Sequence, residues 1–136
     1  MKVVITGGAG FLGKKLARRL LQQGEIAGAS GQPQRIRELL LFDVTNAEGP
    51  GLDDPRVKTV AGDISNFATV QSIVQSASTV FHFAAVVSAG AEADFDLGYR
   101  VNLDGTRNVL EACRARGTHP RVVFTSSLAA FGGDLP

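Results

Sequence analysis

Gly7-Gly8-Ala9-Gly10-Phe11-Leu12-Gly13 follows a short apolar strand, Val3-Val4-Ile5, and opens a helix. A strand that runs into spaced glycines and then a helix restricts the fold strongly, because each glycine answers a separate steric demand. Gly7 permits the backbone angles that end a strand sharply. Gly10 carries no Cβ, so the backbone can approach a diphosphate closely, and Gly13 lets the helix lie tight on the sheet. The amides and the positive dipole end of that helix then face an anion. A strand–helix turn without a ligand needs fewer glycines than this.

Strand-length apolar runs alternate with helical patterns along the 136 residues. Val3–Ile5, Leu39–Phe42, Val57–Ala61, Thr79–Phe83 and Arg121–Thr125 read as five strands. Leu12, Leu16, Leu20 and Leu21 form one face of a helix that runs to Gln23. Phe67, Val70, Ile73 and Val74 form another, capped by Ser65 or Asn66. Asn102, Thr106, Val109, Leu110 and Cys113 share the face of a helix that stops near Gly117. Near-continuous apolar strands imply a parallel sheet covered on both faces. The expected fold is α/β, a partial doubly wound parallel sheet of the Rossmann type with strand order 3-2-1-4-5, in one domain over 1–136.

Charge and composition exclude several function classes. Fourteen Lys and Arg against thirteen Asp and Glu give a net charge of +1, which offers no footprint for nucleic acid. No apolar run is long enough to cross a bilayer, so no membrane partner is expected. Strand-like sequence from Lys2 leaves no room for a signal peptide, and the expected location is cytoplasmic. Cys113 is the only cysteine and reads as a buried helix residue; no internal disulfide can form. His82 and His119 lack cysteine companions, so no metal site is expected.

Asp43 closes the second strand, where a carboxylate is tolerated only at the exposed C-terminal end. There it accepts hydrogen bonds from ribose hydroxyls and repels a 2′-phosphate, which points to NAD and not NADP. Thirty residues separate Gly13 from Asp43, against an ordinary spacing of about 20. The polar stretch between Glu25 and Glu38 accounts for the excess. Its core, Ala27 to Pro33, has loop composition. It reads as a surface insertion, with a place near the adenine end of the cofactor or at a subunit contact as the functional alternative. Lys14, Lys15, Arg18 and Arg19 recur as i and i+4 pairs opposite the leucines, which marks a solvated helix face and not a phosphate site.

Thr6-Gly7-Gly8-Ala9-Gly10-Phe11-Leu12-Gly13 reads T-G-x-x-G-x-x-G, not G-x-G-x-x-G. It resembles the signature of the extended short-chain dehydrogenase/reductases, the family of NDP-sugar epimerases and dehydratases. The resemblance implies cofactor contacts from Gly7, Gly10, Phe11, Leu12 and Gly13. It implies an adenine contact from Asp63 and Ile64, although Asp63 equally suits a helix start before Asn66, and both readings stay open. His82-Phe83-Ala84-Ala85 resembles the family's H-x-A-A segment, which puts Ala84, Ala85 and Val86 under the cofactor. Val101-Asn102-Leu103-Asp104-Gly105-Thr106 matches V-N-x-x-G-T, which puts Asn102 beside the cofactor or in a purely structural role.

Thr125-Ser126-Ser127-Leu128-Ala129-Ala130-Phe131-Gly132 resembles the family's S-S-x-x-x-Y/F-G stretch. The resemblance makes Ser127 the catalytic and substrate-binding hydroxyl, bonded to the oxygen whose carbon loses a hydride. A strand-end serine pair that satisfies backbone groups is the bland alternative. The family also uses a Tyr-x-x-x-Lys pair, with the Tyr as general base. Tyr99, the only tyrosine, is followed by Arg100, Val101, Asn102 and Leu103 and precedes the fifth strand. These residues are therefore expected to bind NAD without completing catalysis.

Within the family, the loop before Asp43, the run Ala84 to Gly98 and the stretch Ser126 to Gly133 resemble the D-erythronate dehydrogenase group. That implies a sugar acid as substrate, with Ser88 and, more weakly, Glu92 over the nicotinamide end. A nucleotide sugar handled by an epimerase or dehydratase, and a non-catalytic NAD sensor, are the alternatives. The apolar fifth strand is expected to lie at a sheet edge, which implies either a homo-oligomer or a larger protein of which these residues are a piece.

Overall fold

A computed structural model describes residues 1–28, 30–117 and 119–133. In chain order the elements are β1 (Lys2–Thr6), α1 (Phe11–Gln23), β2 (Glu25–Ala27), β3 (Pro33–Arg35), β4 (Glu38–Asp43), β5 (Val57–Ala61) and α2 (Phe67–Ile73). They continue with β6 (Ala77–His82), α3 (Ser88–Ala93), α4 (Phe95–Gly98), a π-helical turn (Tyr99–Asp104), α5 (Gly105–Ala115), β7 (Arg121–Phe124) and a 3₁₀ turn (Leu128–Phe131).

Five strands form one parallel sheet in the order β5-β4-β1-β6-β7. Counting those five in sequence, this is the expected 3-2-1-4-5. Alternate residues of β1 serve opposite faces. Val4, Leu40, Phe42 and Val80 pack with Val70 and Ile73 of α2 and with Val109, Ala112 and Cys113 of α5. Val3, Ile5, Leu39 and Leu41 pack with Ala17 and Leu20 of α1 and with Ile36. Val3, Val4 and Ile5 are fully buried. At roughly 1.5–3 kcal/mol for each such side chain, β1 is the hydrophobic axis of the domain.

The helical faces differ in detail from the periodic reading. In α1 the buried row is Gly13, Ala17 and Leu20, while Leu12 is exposed. The first turn stands beyond the end of β1, so only the row beneath Gly13 meets the sheet. Phe67 and Leu110 are also exposed. In α5 the buried row is Gly105, Val109, Ala112 and Cys113, and Leu110 lies one residue, about 100°, off it. That helix begins at Gly105, because the turn before it is π-helical.

The stretch expected to be a loop between α1 and β4 is an antiparallel hairpin, with Glu25 opposite Arg35 and Ala27 opposite Pro33. The Ile36 amide donates to the Gly24 carbonyl at 2.9 Å. The Met1 ammonium donates to the Arg35 carbonyl at 2.6 Å. From the far side, the Arg121 guanidinium donates to the Gly28 carbonyl at 3.1 Å. Met1 and Arg121 stand at strand starts, so the hairpin lies at the end of the sheet where the strands begin, away from the glycine turn. It is therefore not at an adenine end. Among the described residues no helix is long and apolar enough to cross a membrane.

Thr79 is fully buried in β6, and its hydroxyl has no hydrogen-bond partner among the described residues. A buried unpaired hydroxyl costs free energy that an isosteric methyl does not. Thr79→Val is expected to leave stability unchanged or raise it by about 1 kcal/mol, read from the denaturation midpoint.

Candidate functional site

The glycine turn joins the end of β1 to the start of α1. Gly7 has a φ of +71°, and a Cβ there would stand 2.7 Å from the Phe83 carbonyl carbon. A Cβ on Gly13 would overlap the Gly7 carbonyl oxygen and come within 2.8 Å of Gly8 Cα. Gly10 differs, because its Cβ would meet only the Gly7 oxygen, at 3.2 Å. Gly7 and Gly13 thus serve packing, while the open side of Gly10 is space for a ligand. Gly8, which sequence reasoning passed over, is as tightly held, with Leu41 Cβ 2.8 Å from where its own would be.

The turn's amides are divided between internal use and availability. Gly8 N–H donates to the Phe42 carbonyl at 2.9 Å, and Gly10 N–H to the Gly7 carbonyl at 3.1 Å. Ala9 N–H donates to Asp43 Oδ2 at 2.9 Å, and Val44 N–H to Asp43 Oδ1 at 2.8 Å. Asp43 therefore spans from the end of β4 to the turn, and each oxygen keeps a lone pair. Among the described residues no side chain caps α1, and no loop carbonyl takes the Phe11 or Leu12 amide. Two donors at a helix N-terminus, beside a glycine that leaves space, suit the phosphates of a dinucleotide.

The ends of β6 and β7 border a cleft of about 570 Å³ whose walls include Ala84, Ala85, Val86, Asn102, Ser126 and Ser127. The cleft adjoins the glycine turn where Gly7 meets Phe83 and Ala84. Asn102 projects from the π-helical turn, a geometry that recurs at functional sites. Its Oδ1 accepts the Val86 amide at 2.8 Å and its Nδ2 donates to the Val86 carbonyl at 2.9 Å. Ser127 is exposed, and its carbonyl accepts the Ala130 amide at 3.1 Å as the 3₁₀ turn begins. Ser88 is the first residue of α3, and its side chain lies outside the described set.

Asp63 and Ile64 stand apart from the cleft, past the end of β5. Asp63 Oδ1 accepts the Ser65 amide at 2.8 Å, and that bond holds its carboxyl below the usual range. Asp63 thus shapes the approach to α2, and Asn66 caps that helix by accepting the Thr69 amide at 3.0 Å. The Ile64 side chain is buried under Gly105, whose Cβ would be 2.7 Å from Ile64 Cγ2. Only its backbone is left to face a ligand.

His82 was legible only as a letter in the H-x-A-A pattern, yet it is a wall of the cleft. Its Nδ1 is 2.6 Å from Thr6 Oγ1 and its Nε2 is 2.9 Å from Thr106 Oγ1. Its ring stacks on Phe124 at 5.8 Å between centroids. Burial pushes its pKa down to about 4. Thr6 and Thr106 were likewise legible only as letters, in T-G-x-x-G-x-x-G and V-N-x-x-G-T.

Two outcomes follow from this geometry. Gly13→Ala is expected to cost about 3 kcal/mol in unfolding free energy, since backbone must move to admit the methyl. In the unfolded chain His82 has an ordinary pKa, so between about pH 6.5 and about pH 4 the unfolded state binds a proton that the folded state does not. Stability is therefore full above that window and falls as the pH drops through it. Denaturation midpoints across the window should decline in the wild type and flatten in His82→Gln.

Comparison with known proteins agrees with this geometry. The family model described as the 3-beta hydroxysteroid dehydrogenase/isomerase family matches residues 4–135. The chain is 57% identical to the D-erythronate dehydrogenase of Cupriavidus necator, over all of this chain and 41% of that relative. Among solved structures, a nucleoside-diphosphate-sugar epimerase from Agrobacterium tumefaciens superposes with a TM-score of 0.85 at 41% identity, over all of this chain and 40% of that one. A uronate dehydrogenase from the same organism, solved as a mutant in complex with NAD, gives 0.72 at 26% identity, over 93% of this chain and 40% of that one. The chain thus spans about two fifths of the relatives it matches. On the match over residues 4–135, and in keeping with the T-G-x-x-G-x-x-G signature, the chain belongs to the 3-beta hydroxysteroid dehydrogenase/isomerase family.

Proposed function

We propose that these residues are the NAD-binding part of a dehydrogenase that oxidises a hydroxyl of a sugar acid such as D-erythronate. The observation that carries the reading is the pairing of Asp43 with the uncapped start of α1 across one glycine turn. NAD, when bound, supplies the acceptor for the hydride. Gly10, with the Phe11 and Leu12 amides, faces the phosphates on a turn whose shape Gly7 and Gly13 permit. The Asp43 oxygens accept the ribose hydroxyls and repel a 2′-phosphate. Asp63 and the Ile64 backbone border the adenine. Ala84, Ala85 and Val86 form a floor that Asn102 holds in place. Ser127 orients the substrate hydroxyl, with Ser88 nearby for a polyhydroxy acid. The Tyr-x-x-x-Lys pair that the family resemblance calls for lies outside these residues. The 57% identity to a D-erythronate dehydrogenase supports the substrate class. We place the protein in the cytoplasm, as a homo-oligomer.

A second reading has its own support in the 41% identity to a nucleoside-diphosphate-sugar epimerase. The two differ in net chemistry, since a dehydrogenase releases NADH and an epimerase returns the hydride. The full-length protein, given NAD and D-erythronate, is expected to accumulate NADH, followed by absorbance. NADP should not substitute for NAD. Gly10→Val should fold yet abolish cofactor binding, and Ser127→Ala should lower turnover by about 10²-fold. Turnover of UDP-sugars alone, without net NADH, would replace the first reading by the second.

A further inference from the structure

Two hydroxyls flank the His82 ring, with an amide behind one and a carbonyl behind the other, and the direction of each hydrogen bond can be assigned. The Thr106 hydroxyl has one hydrogen, and it donates that hydrogen to the Asn102 carbonyl at 2.7 Å. Toward His82 Nε2, at 2.9 Å, Thr106 can therefore only accept. Nε2 must carry the proton. A neutral ring then has a bare Nδ1, which accepts the Thr6 hydroxyl hydrogen at 2.6 Å. Thr6 Oγ1 in turn accepts the Ala84 amide at 3.2 Å. The chain of donors runs one way, from Ala84 N–H through Thr6 and His82 to Thr106 and the Asn102 carbonyl.

Both ends of this chain are floor residues of the cleft. Ala84 is one end. At the other, Asn102 grips Val86 through both its side-chain amide atoms. Thr6 has no exposed surface, and His82 is 2% exposed. A second proton on the ring would point Nδ1–H at the Thr6 hydroxyl and strand that hydroxyl's own hydrogen in the interior, a costly state. The imidazole stacks on Phe124, and both of its nitrogens are engaged, so it is not set up to exchange protons with a substrate.

We propose that His82, as the neutral Nε2–H tautomer, is a positioning residue that fixes Ala84 and Asn102 relative to each other and so sets the cofactor floor. The proposal rests on the NAD-binding reading for its ligand, but the tautomer and the floor geometry do not depend on it. Thr106 is the place to test it, since Thr106→Val keeps the shape and removes both the acceptor for Nε2–H and the donor to Asn102. Thr106→Ser keeps both bonds.

The experiment uses the full-length protein as wild type, Thr106→Val and Thr106→Ser. Imidazole ¹⁵N spectra, hydrogen exchange of the Val86 amide and titration with NAD are read on each. Wild type should show a protonated Nε2 and a bare Nδ1. Thr106→Val should speed Val86 exchange and weaken NAD binding about tenfold, while Thr106→Ser stays within about twofold of wild type on both counts. Wild-type exchange and binding in Thr106→Val, or a wild-type ring protonated on Nδ1, would overturn the proposal. If wild type binds no NAD, the NAD-binding reading fails. The ring spectrum and Val86 exchange then decide the positioning role alone.

Discussion

The Gly7 carbonyl oxygen occupies the space that any side chain at position 13 would need. That contact sets how closely α1 can approach the end of β1, and the arrangement around the turn follows from it. With α1 seated there, Ala17 and Leu20 reach the face made by Val3 and Ile5, and the first-turn amides stand over the strand ends. Asp43 then bridges from β4 to the Ala9 amide. The binding geometry is thus a by-product of close packing between backbones, and no polar side chain is needed to create the cap vacancy.

The two ends of the sheet are built on different chemistry. Apart from the Asp43 and Asp63 carboxylates, the strand ends carry neutral dipoles: glycine amides, the Asn102 carboxamide, the Thr6–His82–Thr106 bonds and the Ser126–Ser127 turn. The strand starts carry ions. Glu38 pairs with Lys2 at 3.6 Å and with Lys58 at 3.0 Å, and Asp54 pairs with Arg56 at 2.7 Å. These pairs are half-buried apart from the exposed Lys58, and surface pairs contribute modestly to stability and are screened by salt. Fixed neutral donors and acceptors line the cleft at the ends of β6 and β7, while the Asp43 carboxylate stands at the glycine turn beside it.

Much of the fold was legible because its signals are local. Strand order follows from alternation and handedness, and the glycine spacing marks the turn without knowledge of the rest of the chain. The hairpin β2–β3 was not legible. Its strands have three residues each, too short to show a period, and what orders them comes from Met1 and Arg121, far away in sequence. Ile64 was read as a ligand contact, whereas its side chain fills the gap left by Gly105. Only the packing of α5 reveals that gap. The Asn102 clamp was half visible, since the V-N-x-x-G-T pattern marks the residue but not the partner. The His82 relay was hidden because it joins β1, β6 and α5, three segments with no common periodicity.

The π-helical turn from Tyr99 to Asp104 has a bearing on how this chain can change in length. An α-helix advances about 100° per residue, and a π-helical turn holds one residue more than an α-turn. Losing a residue there would rotate the two sides of the turn against each other by about that angle. Either Asn102 would leave Val86, or Val109, Ala112 and Cys113 would leave the core. Insertions and deletions drifting through descendants of this sequence would therefore be purged from Tyr99–Asp104. They would accumulate in the hairpin at the opposite end of the sheet, where a loop tip can lengthen without turning anything else.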